Sequence, residues 1–407
     1  MKIPKFVKVF IIFLLLFVVP YGMYFLYRLD KPKMIKALPD PFVFNNGTYV
    51  ETETDWSARR EEIKQLLLDE EYGHMPGRPD AIEAELTDLK ERDDDSILAQ
   101  VNLSIIPFND SDTKIELPVD LYIPKGEGPF PTLVKVSPDG TGNQVEINTL
   151  IVERGYIFVC FHHTELDPDT KGYDMKGPCQ KTYSNYSWGS LAVWAWGAMR
   201  VADFLLQEPW SVRLNEIPEI RPDALIITGH SRRGKTALLA GAMDERFSMV
   251  VPNDSGCGGA GSFLIQGHFS ETIADITSKA RFKSWFHQDF GDYAGKEYKL
   301  SFDQHFLRAL VAPRLMLSTE AFWDVWSNPT GTQAIFEACI PVFAFLGVKE
   351  NNAIHYRMWG GHAYTDADFK VVLDFSDKML LNKDVSGDFY MTPFDIDFPI
   401  PYGIPNQ

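Results

Sequence analysis

The sequence predicts an α/β fold: a mostly parallel central sheet with helices packed on both faces, a three-layer sandwich. Three observations predict it. Short apolar runs of strand length recur at Pro131–Val136, Tyr156–Phe161, Ala224–Ile227, Met249–Pro252, Leu315–Leu317 and Tyr356–Trp359. Stretches with helical apolar spacing fall between several of them, so strands alternate with helices through right-handed crossovers. Mid-chain, Ile227-Thr228-Gly229-His230-Ser231-Arg232-Arg233-Gly234-Lys235 passes from a strand through a sharp turn into an Ala- and Leu-rich helix reaching Met243.

The chain has 407 residues, of which 45% are hydrophobic and 23% charged, enough to bury a sizeable core. A net charge of −17 argues against a nucleic-acid or anionic-lipid surface as partner. The four cysteines, Cys160, Cys179, Cys257 and Cys339, make no disulfide framework, and Cys160 and Cys339 read as buried free thiols. There is no Cys-x-x-Cys and no clustered histidine spacing, so no metal site is expected.

Lys2, Lys5 and Lys8 precede an uncharged run, Val9–Tyr27, about long enough to cross a bilayer. No small-x-small cleavage site follows; Tyr21, Tyr24, Phe25 and Tyr27 suit an interfacial belt. Residues 1–30 therefore read as a signal anchor with the catalytic domain outside, or as a signal peptide of a secreted protein if cleaved. Arg28, Lys31, Lys33 and Lys36 flank the run on its other side. Residues 31–54 have Pro, Asn and Gly but little periodicity and read as a linker, with the catalytic domain at 55–407.

Asp55–Tyr72 reads as a helix capped by Asp55 and ended by Gly73-His74-Met75-Pro76-Gly77. Ser96–Ile106 and Thr113–Ile123 alternate apolar and polar residues, as two antiparallel strands turning through Asn109-Asp110-Ser111-Asp112. Pro131–Val136 and Tyr156–Phe161 are mostly apolar, as strands covered on both faces are. Ser137-Pro138-Asp139-Gly140-Thr141-Gly142 leaves the carboxyl end of a strand, where such folds bind ligands; it lines an oxyanion hole or is a plain turn.

His162 and His163, followed by Asp167 and Asp169, point to opposite faces of a strand, so one is satisfied inside and the other exposed. Trp188–Phe204 is a helix with Trp188, Trp194 and Trp196 in the core. Gly256–Gly261 lacks the context of a nucleotide site. Glu271–Tyr298 reads as an irregular helical insertion over the site, and Thr332–Leu346 and Asp366–Leu381 as the closing helices.

Ser231 is the candidate nucleophile. A serine on a strand-to-helix turn is lifted above the sheet, with the next N–H aimed at an incoming carbonyl oxygen. The spacing is G-x-S-x-x-G, with Arg233 where a second glycine is expected. Arg232, Arg233 and Lys235 fall in the first helical turn, where the macrodipole disfavours cations. They are either a solvated basic patch or groups facing an oxyanion or polar ligand. The base is expected late in the chain, and His362 follows the last strand after Gly360 and Gly361. His268, His287, His305 and His355 lack that placement.

The elbow, with Met243-Asp244-Glu245-Arg246-Phe247 and Asn253-Asp254-Ser255-Gly256-Cys257-Gly258-Gly259-Ala260, resembles the glucuronoyl esterases of carbohydrate esterase family 15. These are α/β-hydrolases related to acetylxylan esterases. The resemblance continues through Asp324-Val325-Trp326 and Gly361-His362.

It implies that Arg232 offers its N–H and guanidinium to the oxyanion, that Lys235 binds glucuronate hydroxyls and that Trp326 contacts the sugar. Glu271 either binds a hydroxyl or is a surface carboxylate. For the acid, the family position after the elbow strand falls on Asp254, and many bacterial relatives use the next strand, here Asp324 or Glu320. Asp254 is placed slightly ahead of Asp324, with Glu320 third.

The implied reaction is hydrolysis of a 4-O-methyl-glucuronoyl ester between xylan and a lignin alcohol, through an acyl-enzyme on Ser231. The expected substrate is a glucuronoxylan-type ester and the expected state a monomer. An acetylxylan or other carbohydrate esterase is the alternative in the same class. A silent carbohydrate-binding scaffold has no need of both Ser231 and His362, and no peptide groove for a peptidase can be read.

Overall fold

The computed structural model describes residues 4–23, 31–108, 113–137, 145–169, 176–278, 282 and 284–405. Nine strands form the main sheet: β1 (Ala81–Glu91), β2 (Ile97–Ile106), β3 (Ile115–Ile123), β4 (Phe130–Ser137), β5 (Ile157–His162), β6 (Ile220–His230), β7 (Met249–Asn253), β8 (Leu315–Ala321) and β9 (Asn352–Arg357). Their spatial order is β9-β8-β7-β6-β4-β5-β3-β2-β1. The ladders from β9 to β5 are parallel, and those joining β5, β3, β2 and β1 are antiparallel.

The helices that matter here are α1 (Lys5–Met23), α2 (Glu53–Leu67), α3 (Val145–Glu153), α4 (Ser190–Leu205), α5 (Arg232–Met243), α6 (Gln304–Ala309), α7 (Pro329–Phe345) and α8 (Asp366–Met379). Successive residues of the inner strands feed two separate cores, as the pleat requires. Ile157, Val159 and Phe161 join the core carrying Trp194, Trp196 and Leu238 of α4 and α5. Phe158 and Cys160 join the core carrying Ile151 of α3 and Phe369 and Val372 of α8. Both faces of the sheet are covered, which is the three-layer α/β-hydrolase arrangement.

The structure differs from the expectation at several places. β1 is an additional edge strand. Its Ile82, Ala84 and Leu86 face the core, but Glu83, Glu85, Asp88 and Lys90 between and after them obscure the alternation; charged side chains also guard an exposed edge against pairing. The cap of α2 is Thr52, and Asp55 sits one turn in, accepting from Thr52 N at 2.9 Å in a reciprocal capping box.

The stretch read as a linker is packed. Phe42 lies against Trp56 and Phe345, Leu38 and Val50 are buried, and Arg59 of α2 donates to Pro41 O at 3.2 Å. β9 ends at Arg357, earlier than expected, which frees the segment from Met358 to Ala363 as the loop carrying His362.

The four cysteines are buried free thiols. The segment from Glu271 to Tyr298 holds the short helix Ile273–Ile276 and single turns, with 279–281 and 283 outside the described residues. The turn at 109–112, the loop at 138–142 and Tyr24, Phe25, Tyr27 and Arg28 also lie outside them.

Candidate active site

Four consecutive parallel strands deliver the site at their carboxyl ends, the usual place for ligands in open α/β sheets. Ser231 follows β6, Asp254 follows β7, Asp324 follows β8 and His362 follows β9. Ser231 has φ +59° and ψ −126°, outside the regions a serine normally occupies. Such a residue costs about 1–3 kcal/mol and persists only where its surroundings hold it. Here Ser231 N donates to Asn253 O at 2.9 Å, and Gly234 N and Lys235 N both donate to Ser231 O.

The glycines explain the unusual spacing. A Cβ on Gly229 would lie 2.2 Å from the carbonyl oxygen of Arg233, and one on Gly234 2.9 Å from that of Gly229. The chain folds back on itself across these two residues, while the Arg233 position between them has room for a side chain. Gly229→Ala is expected to lower stability by about 1–3 kcal/mol, as overpacking does. A thermal unfolding scan checks it; an unchanged midpoint would mean the elbow relaxes freely.

His362 Nδ1 lies 2.6 Å from Asp324 Oδ2, and Asp324 also accepts from the Ser327 hydroxyl. Burial pushes the Asp324 carboxyl up, but the hydrogen bonds from His362 and Ser327 outweigh it and hold it below its ordinary value. Burial pulls His362 down, and the hydrogen bond and charge of Asp324 more than restore it, leaving the imidazole above its ordinary value. With Nδ1 committed, Nε2 is the ring atom left for a serine.

Asp254 lies close by but does otherwise. Its Oδ1 accepts from Ala321 N at 2.6 Å, and its Oδ2 has no hydrogen bond among the described residues, standing 3.9 Å from Arg357. Glu320 is fully buried and neither of its oxygens is hydrogen-bonded among the described residues. In this geometry the carboxylate bonded to His362 is that of Asp324, and Asp254 bonds the backbone of Ala321. Donor atoms of Asp254, Asp324 and His362 lie within 4.8 Å of one another, a spacing that would also suit an ion. The 2.6 Å contact is instead that of a proton held between nitrogen and carboxylate.

Two further residues frame His362. The His230 ring lies 4.4 Å from that of His362. Asn253 Nδ2 donates to Thr319 O at 3.0 Å, which turns its Oδ1 toward His230 Nδ1 at 2.6 Å. Burial and the neighbouring His362 push His230 down to about 4, so it is neutral near pH 7 and does not compete for the proton. Neither role is signalled by spacing.

The basic patch is not solvated. Arg232 Nη1 donates to both oxygens of Asp169, at 2.9 and 3.0 Å, and Arg233 reaches the same carboxylate at 3.3 Å. The Arg232 guanidinium also covers Phe282 and Trp285, whose rings stack 3.8 Å apart. Asp169 was visible only as an acid just after β5. One histidine of the adjacent pair is buried and the other partly exposed, as expected, but not as strand neighbours: His162 ends β5, and His163, buried and bonded to Ser137 O, opens a short helix.

Lys235 is 1% exposed. Its three hydrogens go to Ser255 O, Cys257 O and Glu271 Oε1, so a sugar hydroxyl would have to replace one of them. Glu271 is buried too, not a surface carboxylate, and its N–H donates to Trp326 O at 2.9 Å. Trp326 itself is 40% exposed. Gly256, at φ +59°, has no room for a Cβ, which would meet Glu271 Oε1 at 2.3 Å.

Comparison with known proteins places this geometry. The family model described as fungal glucuronyl esterase matches residues 106–347, more than half of the chain. The chain belongs to the glucuronoyl esterase family. It is a carboxylic-ester hydrolase.

It is 30% identical over 370 residues to a 4-O-methyl-glucuronoyl methylesterase of Schizophyllum commune, covering 87% of this chain and 85% of that one. Among solved structures it is similar to a carbohydrate esterase family 15 glucuronoyl esterase from Caldicellulosiruptor kristjansonii, with a TM-score of 0.76, 29% identity and coverage of 92% and 98%. It is also similar to a promiscuous esterase of that family from a marine bacterial metagenome, with a TM-score of 0.73, 26% identity and coverage of 85% and 98%.

Proposed function

We propose that this glucuronoyl esterase cleaves esters of 4-O-methyl-glucuronic acid, of the kind joining glucuronoxylan to lignin alcohols. Ser231 is its nucleophile, His362 its base and Asp324 the partner of that base. The observation that carries the assignment of roles is the 2.6 Å His362–Asp324 hydrogen bond beside a serine held at positive φ. The substrate class is supported by the name of the Schizophyllum commune relative.

In this reading His362 Nε2 takes the Ser231 proton as Oγ attacks the ester carbonyl. The oxyanion is met by the Arg232 N–H, which has no acceptor inside its own helix, and by the Arg232 guanidinium. His362 then returns the proton to the leaving alcohol, and water repeats the sequence on the acyl-enzyme. Glu271, held from beneath by the interior Lys235, faces the uronate hydroxyls, and the exposed face of Trp326 packs on the sugar ring. Asp169 aims the guanidinium, so Asp169→Ala is expected to lower kcat by about 10–10²-fold, the scale of a misplaced catalytic group. Steady-state kinetics on a glucuronate ester check it.

Residues 5–23 form a helix of 19 residues whose apolar side chains are exposed, with a length near 28 Å at about 1.5 Å per residue. We assign it as a signal anchor that leaves the catalytic domain outside the membrane.

The deciding experiment compares benzyl glucuronate ester with an aryl acetate, using the full chain in detergent and Ser231→Ala as control. Preferential glucuronate turnover that vanishes in the control supports the reading. A preference for acetate would overturn the substrate and leave the catalytic roles standing.

A further inference from the structure

We infer that Arg357 is a positioning residue for the reaction: its guanidinium gathers the loop that carries His362 and so holds the imidazole on Asp324. The inference rests on the catalytic roles proposed above. His362 stands on a stretch, Met358 to Ala363, that has no regular secondary structure and is exposed along its whole length. Among the described residues, the backbone from Trp359 to Tyr364 makes no hydrogen bond to another backbone group. One side chain takes the place of those bonds. Arg357, the last residue of β9, donates through Nη1 to Trp359 O and through Nη2 to Gly361 O at 3.1 Å and Ala363 O at 2.8 Å. Gly361 and Ala363 are the chain neighbours of His362, so its backbone is fixed from both sides.

Arg357 is anchored in turn. Its Nε donates to both oxygens of Asp368 of α8 at 3.1 Å. Asp368 Oδ2 also accepts from Thr365 N and Thr365 Oγ1, each at 2.8 Å, in the capping box that starts that helix. A second carboxylate faces the guanidinium, with Asp254 Oδ2 3.9 Å from it. Holding three carbonyls and a carboxylate at once needs the planar five-donor fork of arginine; a lysine ammonium is a single point.

The chain makes room for the guanidinium. Gly360 has φ +90°, and a Cβ there would lie 2.3 Å from Arg357 Nη1. Beyond His362 the Tyr364 hydroxyl pairs with Thr228 of β6 at 2.7 Å, and its ring stacks on Phe369 at 4.0 Å, which fixes the far end of the loop.

The consequence for the reaction is preorganisation. The 2.6 Å contact between His362 Nδ1 and Asp324 joins the loop after β9 to the loop after β8. Without the clamp, that one bond would have to order the whole exposed loop against its conformational entropy. With the backbone held beforehand, the ring keeps only its own rotations, and Asp324 and the His230 ring 4.4 Å away limit those.

Arg357→Lys tests the clamp, since it keeps the positive charge between Asp368 and Asp254 and removes the fork. Its kcat on benzyl glucuronate ester should fall about 10–10²-fold, the scale of a catalytic group displaced by about an ångström. KM should stay within about threefold of native, because Glu271 and Trp326 lie on other loops. Burial lowers His362 and the Asp324 bond more than restores it, so the midpoint at which kcat/KM rises with pH should move down. In proton magnetic resonance of the native full chain in detergent, the Nδ1 proton of so short a bond should stand far downfield. In Arg357→Lys that signal should broaden or vanish while thermal unfolding stays cooperative. Where the lysine variant does not fold, Gly360→Ala carries the same readouts, because its Cβ displaces the guanidinium with Arg357 intact.

A native kcat in Arg357→Lys would overturn the inference. So would a loss confined to KM, or a lowered kcat with the downfield proton and the pH midpoint unmoved. Should no ester be turned over, the catalytic reading falls, and the downfield proton still decides whether Arg357 holds His362 on Asp324.

Discussion

Ser231→Ala is expected to lower kcat on a glucuronate ester by about 10⁶-fold, the scale on which hydrolases lose rate when a triad serine is removed. A residual rate larger than roughly a thousandth of native would remove Ser231 as the nucleophile, since the oxyanion donors alone supply only about 10³–10⁴ over water. Ser231→Gly should be equally inactive but should differ in stability.

At φ +59° and ψ −126° serine and alanine both bear the cost of a Cβ in a crowded backbone region, and glycine does not. Relief of about 1–3 kcal/mol is offset by about 0.4–1 kcal/mol from the freer unfolded chain. The glycine variant should therefore melt above the alanine variant. Equal melting temperatures would show that the elbow stores no strain and that its geometry is the relaxed one for this loop.

Residues that a local pattern can reveal were legible. The apolar runs announce the inner strands, Gly229 and Gly234 announce a turn, and His362 is placed by two glycines after the last strand. What was not legible depends on how loops are bent or on partners far apart in the chain. Asp254 and Asp324 both stand at carboxyl ends of strands, and nothing in their spacing ranks them. What separates their surroundings is Asp254 adopting φ +41°, which turns its carboxylate onto Ala321 N, while the turn Val325–Ser327 brings a hydroxyl to Asp324 and the loop after β9 brings the imidazole.

Asp169 lies 63 residues from the arginine it holds, beyond any window of local reading. Lys235 is one helical turn from Ser231, as its spacing implies, yet the carbonyls of Ser255 and Cys257 close over it and make it an interior cation. Residues 31–54 lack periodicity because they run largely without regular secondary structure while inserting single side chains, Leu38, Phe42 and Val50, into the core.

Asp324→Asn is the substitution that should separate the two acids, with kcat lower by about 10⁴-fold, against less than about 10-fold for Asp254→Asn. An amide at position 324 can present its NH₂ to His362 Nδ1, which then must be the unprotonated nitrogen. The proton moves to Nε2, and the ring can no longer accept from Ser231. The amide at position 254 would disturb only the bond from Ala321 N and a weak electrostatic contact with Arg357.

The pH dependence carries the same information. Native kcat/KM should rise as His362 loses its proton, with a midpoint above the ordinary 6.5, and Asp324→Asn should lower that midpoint. Stability follows with opposite limbs. Asp324 is depressed from 3.8, so its contribution is present above that value and lost as pH falls through its folded pKa. His362 is raised from 6.5, so its contribution is present below that value and lost as pH rises through its folded pKa. The stability deficit of Asp324→Asn should accordingly be widest between pH 3.8 and pH 6.5 and shrink on either side. Should Asp254→Asn show the larger loss of rate and that pH signature instead, the imidazole must change partners when substrate binds, and Asp254 is the working acid.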